Sequence, residues 1–494
     1  MTKILALALL VAAVLPAAGE AARLPVVVVP SEAFQALERD GAQGLLVPDA
    51  GPETSRARAL AALRRGAVRN SLLEGTPAGR PLIDVTYARS LPRDPAIVLS
   101  LPPAGRRPND ARYRIAVLAP GFDGLLTSDS TRIPGLVSIV DVAPTALGTD
   151  GKLGSTPAGD PAASLLALDR RIDEHRDAKT PVLLVSLALI VGLAIFRRRA
   201  VLPAFAGILL ANLAFGVTGW THVWVDVTVV VLFAAAGVAF ARLPVAGHGL
   251  LLAGVLAAYL IAMGIDARWV ALSPLGPTQN ARFYGLSNLL STLLLVPALA
   301  SAAILGGWAV AAIAALALVT VGGSQFGADG GGVLVLLTGY AVLVALTRRP
   351  TRRTLVAAAV VLVVLAAALA LGGSSHVTDA LAGGPKELAE DFWRRLQLSW
   401  LRATSSWGVA LLVFGGIAVL AVLARRERRP LLLAYFAALA VSLLVNDSPN
   451  DIILAGLGGY LVLSTAPEVA RPATERARPA APEPRARSAP AASR

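Results

Sequence analysis

Hydrophobic and polar positions divide the chain into three stretches. A run of apolar residues, 4–15, follows Lys3 and ends at Pro16 and a set of small residues. It is too short for the ~20 residues that cross a bilayer, but it matches the core of an export signal, with cleavage after Gly19 or Ala21. An uncleaved signal anchor is the alternative, and both place the next stretch outside the cytoplasm. Residues 22–179 carry short apolar runs among dense charge. Strands are expected at 24–29, 44–47, 82–87, 96–101 and 113–118, a helix at 31–39 capped by Ser31, and another at 55–65. Strands alternating with helices predict an α/β layer structure. From Pro181 onward apolar runs recur at 181–196, 201–217, 223–240, 244–264, 284–300, 303–321, 332–347, 354–371, 405–424, 430–446 and 451–466, which predicts eleven spans. The expected architecture is an α-helical polytopic membrane protein with about eleven transmembrane helices and an N-terminal extracytoplasmic α/β domain. Its segments are a signal peptide or anchor (1–21), the α/β domain (22–179), the helical bundle (180–466) and a disordered basic tail (467–494).

Composition agrees with the pattern. Hydrophobic residues make up 55% and charged residues 16%, against about 25% charge in soluble domains. The net charge of +13 would suggest nucleic acid if it were clustered on a fold, but its placement follows the topology. Arg197–Arg199, Arg242, Arg348, Arg349, Arg352, Arg353, Arg425, Arg426, Arg428 and Arg429 fall in alternate loops, as the positive-inside rule requires of cytoplasmic turns. That puts the Arg- and Pro-rich tail inside and makes a nucleic-acid partner unnecessary. The absence of Cys removes disulfides, thiolate metal sites and cysteine nucleophiles, and four His are too few for a His-rich centre. His222, His248 and His376 read as packing or interfacial residues.

In the α/β region, residues 115–147 read as a strand, a polar loop and a strand feeding a helix, with Asp141 as cap and Pro144 in the first turn. Asp141-Val-Ala-Pro-Thr-Ala-Leu147 resembles the Asp-x-Ala-Pro-Thr-x-Leu segment of the alkaline-phosphatase superfamily, where that segment is structural. The resemblance implies a two-metal site with Asp and His ligands around a Ser or Thr nucleophile. This sequence departs from it: Pro30-Ser31 follows the first strand where an Asp is needed, and His175 is the region's only His. Thr54 or Ser55 stands near a nucleophile position, with helix capping as the simpler role. A degenerate domain without metal or cofactor is therefore expected, and no catalytic residue is assigned.

Three breaks on the predicted outer side are rich in groups that a bilayer resists: 276–288, 322–332 and 446–451. Asp226 adds a carboxylate within the third span, and such residues face the bundle interior or water. Arg282 suits a phosphate or carboxylate. Tyr284, Asn288, Gly327, Asp329, Gly330, Gly331, Asn446 and Asp447 complete the expected ligand-binding set, with Asp329 and Asp447 orienting Arg282 and the glycine turn donating backbone N–H groups. The structural alternative is that the three charges satisfy one another while the glycines allow close helix packing. Residues 281–288 and 327–332 resemble motifs of a loose group of bacterial multi-pass proteins that carry an exported phosphatase-like region, and the layout is similar to that of phosphoethanolamine transferases of anchor biosynthesis. Expected partners are membrane lipids, a lipid-linked glycan or phospholipid headgroup, and envelope-biosynthesis proteins. The chain is thus expected to recognise or translocate an anionic lipid-linked envelope precursor, with a phosphotransferase or phosphodiesterase, or an assembly scaffold, as alternatives. In the break at 373–403, Leu388, Phe392, Leu396 and Trp400 recur every fourth residue, which predicts an amphipathic helix along the interface or bridging to the α/β domain.

Overall fold

A computed structural model of the chain describes residues 23–37, 41–73, 75, 79–149, 152–220, 222–277, 283–347, 352–370 and 384–467. The N-terminal region is a mixed sheet covered by helices. Its strands are β1 (Val26–Val28), β2 (Ala42–Val47), β4 (Val85–Tyr87), β5 (Ala96–Leu99), β7 (Tyr113–Leu118), β8 (Gly124–Ser128), β9 (Leu136–Ser138) and β10 (Leu153–Thr156); β3 (Glu53–Thr54) and β6 (Arg107–Pro108) form a separate ladder. The sheet order is β10-β8-β2-β7-β5-β1-β4, with β9 also on β2. β1 is parallel to β4 and β5, while β7 is antiparallel to both β5 and β2.

Alternation along the strands assigns two faces. Val26, Val28, Ile97, Leu99, Ile115 and Val117 pack beneath α1 (Arg56–Arg65) and α2 (Val142–Leu147). On the opposite face, Leu45, Val47 and Leu136 meet Leu165 and Ile172 of α3 (Pro161–Phe196), together with Ala271, Leu272 and Phe283. The α/β region is therefore seated on one end of the bundle. Two expectations are corrected here. The segment 31–39 opens as a 3-10 helix, Ser31–Ala36, with Pro30 at its cap. The segment 124–128, expected to lie in a polar loop, is a strand, with β2 and β10 flanking it and satisfying its backbone.

The expected boundary at 179/180 lies inside α3. Asp160 caps this helix by accepting from the Ala163 amide at 3.0 Å, and Pro161 occupies its first turn. Thirty-six residues at ~1.5 Å each make a rod of about 54 Å, well beyond the ~30 Å hydrocarbon layer. Only its apolar half is needed for a span, and the charged half docks the sheet. There follow α4 (Val201–Thr218), α5 (Val223–Ala239), α6 (Val245–Ile265), α7 (Asn288–Leu305), α8 (Ala309–Gly322), α9 (Gly330–Thr347), α10 (Arg352–Ala370), α11 (Gly384–Ala403), α12 (Trp407–Arg426), α13 (Pro430–Val445) and α14 (Pro449–Ser464). Among the described residues, seven helices are long and apolar enough to cross a membrane. The break expected at 300–303 falls later, because Gly306 and Gly307 take up positive φ (60° and 56°) that a side chain resists. Large apolar side chains face outward along α12 and α3, such as Leu411 and Ile195, as they do where lipid is the solvent.

Candidate functional site

The glycine- and carboxylate-bearing breaks meet at the end of the bundle that carries the α/β region. Arg132, in the β8–β9 turn, lies over the Tyr284 ring at 4.0 Å and donates to the Ser324 carbonyl at 2.6 Å. Lys179 of α3 reaches Asp451 at 3.4 Å. A buried amide organises the first break from below. Asn212 donates to Tyr259 Oη and Ser273 Oγ at 3.1 and 3.0 Å, and its oxygen accepts from the Leu275 amide at 3.0 Å. Ser287 then closes onto the Leu275 carbonyl and caps α7 by accepting from the Leu290 amide.

Arg282 lies outside the described residues, as does His376. Asn288 Nδ2 donates to Asp447 Oδ1 at 2.9 Å. The arginine that meets Asp447 is Arg402 of α11, 3.1 Å from Oδ1, which also donates to the Asp447 carbonyl at 2.7 Å and Ser448 Oγ at 2.9 Å. Arg395 lies one helical stretch back on α11. Burial works against its charge, but Asp391, Asp329 and Asp447 outweigh burial and hold the guanidinium above its ordinary value. Burial likewise pushes Asp391 up, and Arg395 and Arg394 outweigh it, holding the carboxyl below the usual range. Sequence spacing identified α11 as amphipathic but carried no signal that its arginines reach these carboxylates, because the contact spans 45 residues.

In the 322–332 turn several backbone amides are already bonded. The amides of Gly327, Ala328 and Asp329 donate to Thr320, Gly323 and Val321 carbonyls, and that of Gly332 donates to Asp329 Oδ1 at 2.9 Å. These N–H groups are therefore spent within the turn. Asp329 is 6% exposed; its second oxygen accepts from Ser291 at 2.9 Å, so the carboxylate caps α9, which begins at Gly330, and ties it to α7. The glycines admit close packing: a Cβ on Gly331 would stand 2.5 Å from Asn446 Oδ1, and one on Gly327 2.2 Å from the Val321 carbonyl. Asn446 is buried and donates to Ser442 at 2.9 Å.

Beside this cluster runs a groove of about 800 Å³. Leu396 and Trp400 of α11, Phe414 and Ile417 of α12, Leu443 of α13 and Pro449 wall it, and the exposed Arg69 of the α/β region lines its rim. The backbone position of Arg69 follows from a partly buried ion pair. Arg58 of α1 grips Asp49 at 2.6 Å and donates to the Arg69 carbonyl at 2.5 Å, while the Ser71 amide bonds the Ala50 carbonyl. Burial pushes the Asp49 carboxyl up, and Arg58 offsets this only in part.

A second cavity, of about 710 Å³, opens ahead of α1 with Thr54, Ser55, Arg56 and Arg106 on its wall. Ser55 caps α1, accepting from the Arg58 amide at 3.3 Å. Asp141 does not cap α2. Its backbone is helical (φ −84°, ψ −10°) rather than extended, so the side chain reaches Ser128 and Ser130 instead, accepting from Ser130 N at 3.0 Å and Oγ at 2.7 Å. Among the described residues no three His, Cys, Asp or Glu side chains gather as a metal ion requires. No protein-family model, curated protein or solved structure matches the chain.

Proposed function

We propose that the chain is a multi-pass plasma-membrane protein that recognises or translocates an anionic, lipid-linked envelope precursor at its extracytoplasmic end. In this reading all eleven apolar helices cross the bilayer, the α/β domain follows an export segment, and the arginine-rich turns and the tail face the cytoplasm. The groove between α11, α12 and α13 carries the proposal. Its walls are apolar where lipid surrounds the bundle, and its rim holds the exposed Arg69, contributed by the water-facing domain. An apolar trough with a cation at its aqueous edge suits a hydrocarbon chain joined to a phosphate. The Asp329, Asn446 and glycine contacts supply the rigid frame behind it. Arg282 remains part of the proposed anion grip.

The test is native mass spectrometry of lipids retained by the detergent-purified full chain. An anionic lipid is expected on the wild type and lost from both Arg69→Ala and Trp400→Ala; equal retention by all three would remove the groove as the site. A second reading, a membrane-bound phosphotransferase or phosphodiesterase with a degenerate alkaline-phosphatase-like domain, draws on the cavity ahead of α1, whose wall joins the hydroxyls of Thr54, Ser55, Ser71 and Tyr87 to Arg56 and to Arg106, itself paired with Glu53. Turnover of a phosphodiester by the purified chain would favour it. A scaffold for envelope-biosynthesis enzymes gains if lipid retention and turnover both fail.

A further inference from the structure

His175 and Asp226 face each other at the seam between α3 and α5. Both side chains are 0% exposed, and Nδ1 stands 3.9 Å from Oδ2. Neither imidazole nitrogen and neither carboxylate oxygen has a hydrogen-bond partner. An ion pair taken out of water is favourable only when further hydrogen bonds satisfy both ions, and here none does so. The surrounding charge is balanced. On α3 itself, Arg171 and Glu174 lie within one turn, and Lys179 is held by Asp451 of α14. Arg171 donates to the Gly216 carbonyl of α4 and faces the Asp266–Arg268 pair beyond α6. Neither α4 nor β2, which also pack on α3, carries a charged residue.

We infer that His175 and Asp226 form a proton-binding site that holds one proton while α3 is seated on α5 and releases it when they part. With one proton the pair is neutral, as carboxylic acid beside imidazole or as carboxylate beside imidazolium. Loss of that proton leaves a lone buried carboxylate near Glu174, and a second proton leaves a lone imidazolium near Arg171. Both are disfavoured in a dry seam, so the single-proton state is bound to the seated geometry. The helix that carries His175 is the one that docks the α/β domain, so proton release is linked to movement of that domain. This inference does not depend on the identity of any lipid ligand.

Linkage of one proton makes opening of the seam more favourable by about tenfold per pH unit between the pH at which the parted pair gives up its proton and the higher pH at which the seated pair does. The experiment is hydrogen exchange of α3 amides 172–182 in the full chain in nanodiscs across neutral to alkaline pH, corrected for intrinsic exchange. The wild type is expected to show that slope and Asp226→Asn to lose it, whereas His175→Gln, whose lone buried carboxyl is still neutralised by a proton only while seated, should keep it. A flat corrected profile in the wild type, or an unchanged slope in Asp226→Asn, overturns the site. Should either variant fail to fold, the proton count in the wild type decides: nitrogen NMR of His175 with infrared detection of the carboxyl must find one proton on the pair. A carboxylate beside a neutral imidazole, or protons on both, refutes it.

Discussion

Replacing Asp329 with alanine tests how the glycine turn is held. The carboxylate makes two contacts, one to the Gly332 amide and one to Ser291 Oγ, both at 2.9 Å. Loss of a helix cap costs about 0.5–2 kcal/mol, and a hydrogen bond to a charged group contributes about 1.5–3 kcal/mol. Ser291 is not orphaned, since its hydroxyl also reaches the Ser287 carbonyl at 3.0 Å, and contacts sharing one side chain are not additive. The expected loss is therefore about 2–4 kcal/mol, borne locally at the start of α9. At ~1.4 kcal/mol per tenfold, the Gly332 amide should exchange with solvent roughly 30- to 700-fold faster. Asp329→Asn keeps one acceptor oxygen for the Gly332 amide and loses the charge and the acceptor that Ser291 uses, so its acceleration at Gly332 should stay below about tenfold. The assay is hydrogen exchange resolved to residues 330–335 in nanodiscs. Wild-type exchange in Asp329→Ala would refute the reasoning, because the turn would then be held by something other than this carboxylate.

Three further outcomes follow from the same geometry. Gly331→Ala places a methyl 2.5 Å from Asn446 Oδ1, an overpacking worth about 1–3 kcal/mol; adding Asn446→Ser should restore much of the loss in a thermal-melt double-mutant cycle, and strict additivity would deny the contact. Arg132→Ala removes the ring stack on Tyr284 and the bond to Ser324, about 1–3 kcal/mol together, and should raise protease sensitivity at the β8–β9 turn. Unchanged cleavage would mean that the α/β domain is seated by its apolar face alone. Burial pushes Asp141 above its ordinary 3.8, with Ser128 and Ser130 offsetting part of the shift. A carboxyl raised in the folded state contributes stability that is full below the unfolded value, near 3.8, and is lost as pH rises through the folded value. Asp141→Asn should flatten that part of the denaturation profile, and parallel wild-type and variant profiles would exclude Asp141 as its source.

The sequence made the elements more legible than their partners. Tyr113–Leu118 reads as a strand because apolar positions and β-branching agree there, and each apolar run from Pro181 onward contains a helix because bilayer-scale runs permit little else. The four-residue recurrence of Leu388, Phe392, Leu396 and Trp400 falls within α11. Gly124–Ser128 was illegible for a physical reason: two leucines between Gly and Thr-Ser are too short a pattern to declare a strand, and pairing with β2 and β10 supplies the backbone partners. The continuity of α3 through 179/180 was hidden by the change from charged to apolar residues, which marks a change of solvent rather than a break in the backbone.

The polar breaks show why the partners were harder to read. Gly, Asn and Asp at a bundle end signal an anion cradle by composition, yet the same residues are what helices need to cap, cross closely and satisfy one another where water is scarce. Here Asp329 caps α9, Asn288 and Arg402 share Asp447, and Gly331 makes room for Asn446. A group already satisfied in this way has little left to offer a ligand, whereas an exposed cation at the rim of an apolar trough keeps its charge available. The proposed recognition is therefore best tested at Arg69, whose carbonyl Arg58 holds and which lines the groove. The satisfied Asp447 carboxylate then matters as the anchor by which Arg402 holds α11 in place.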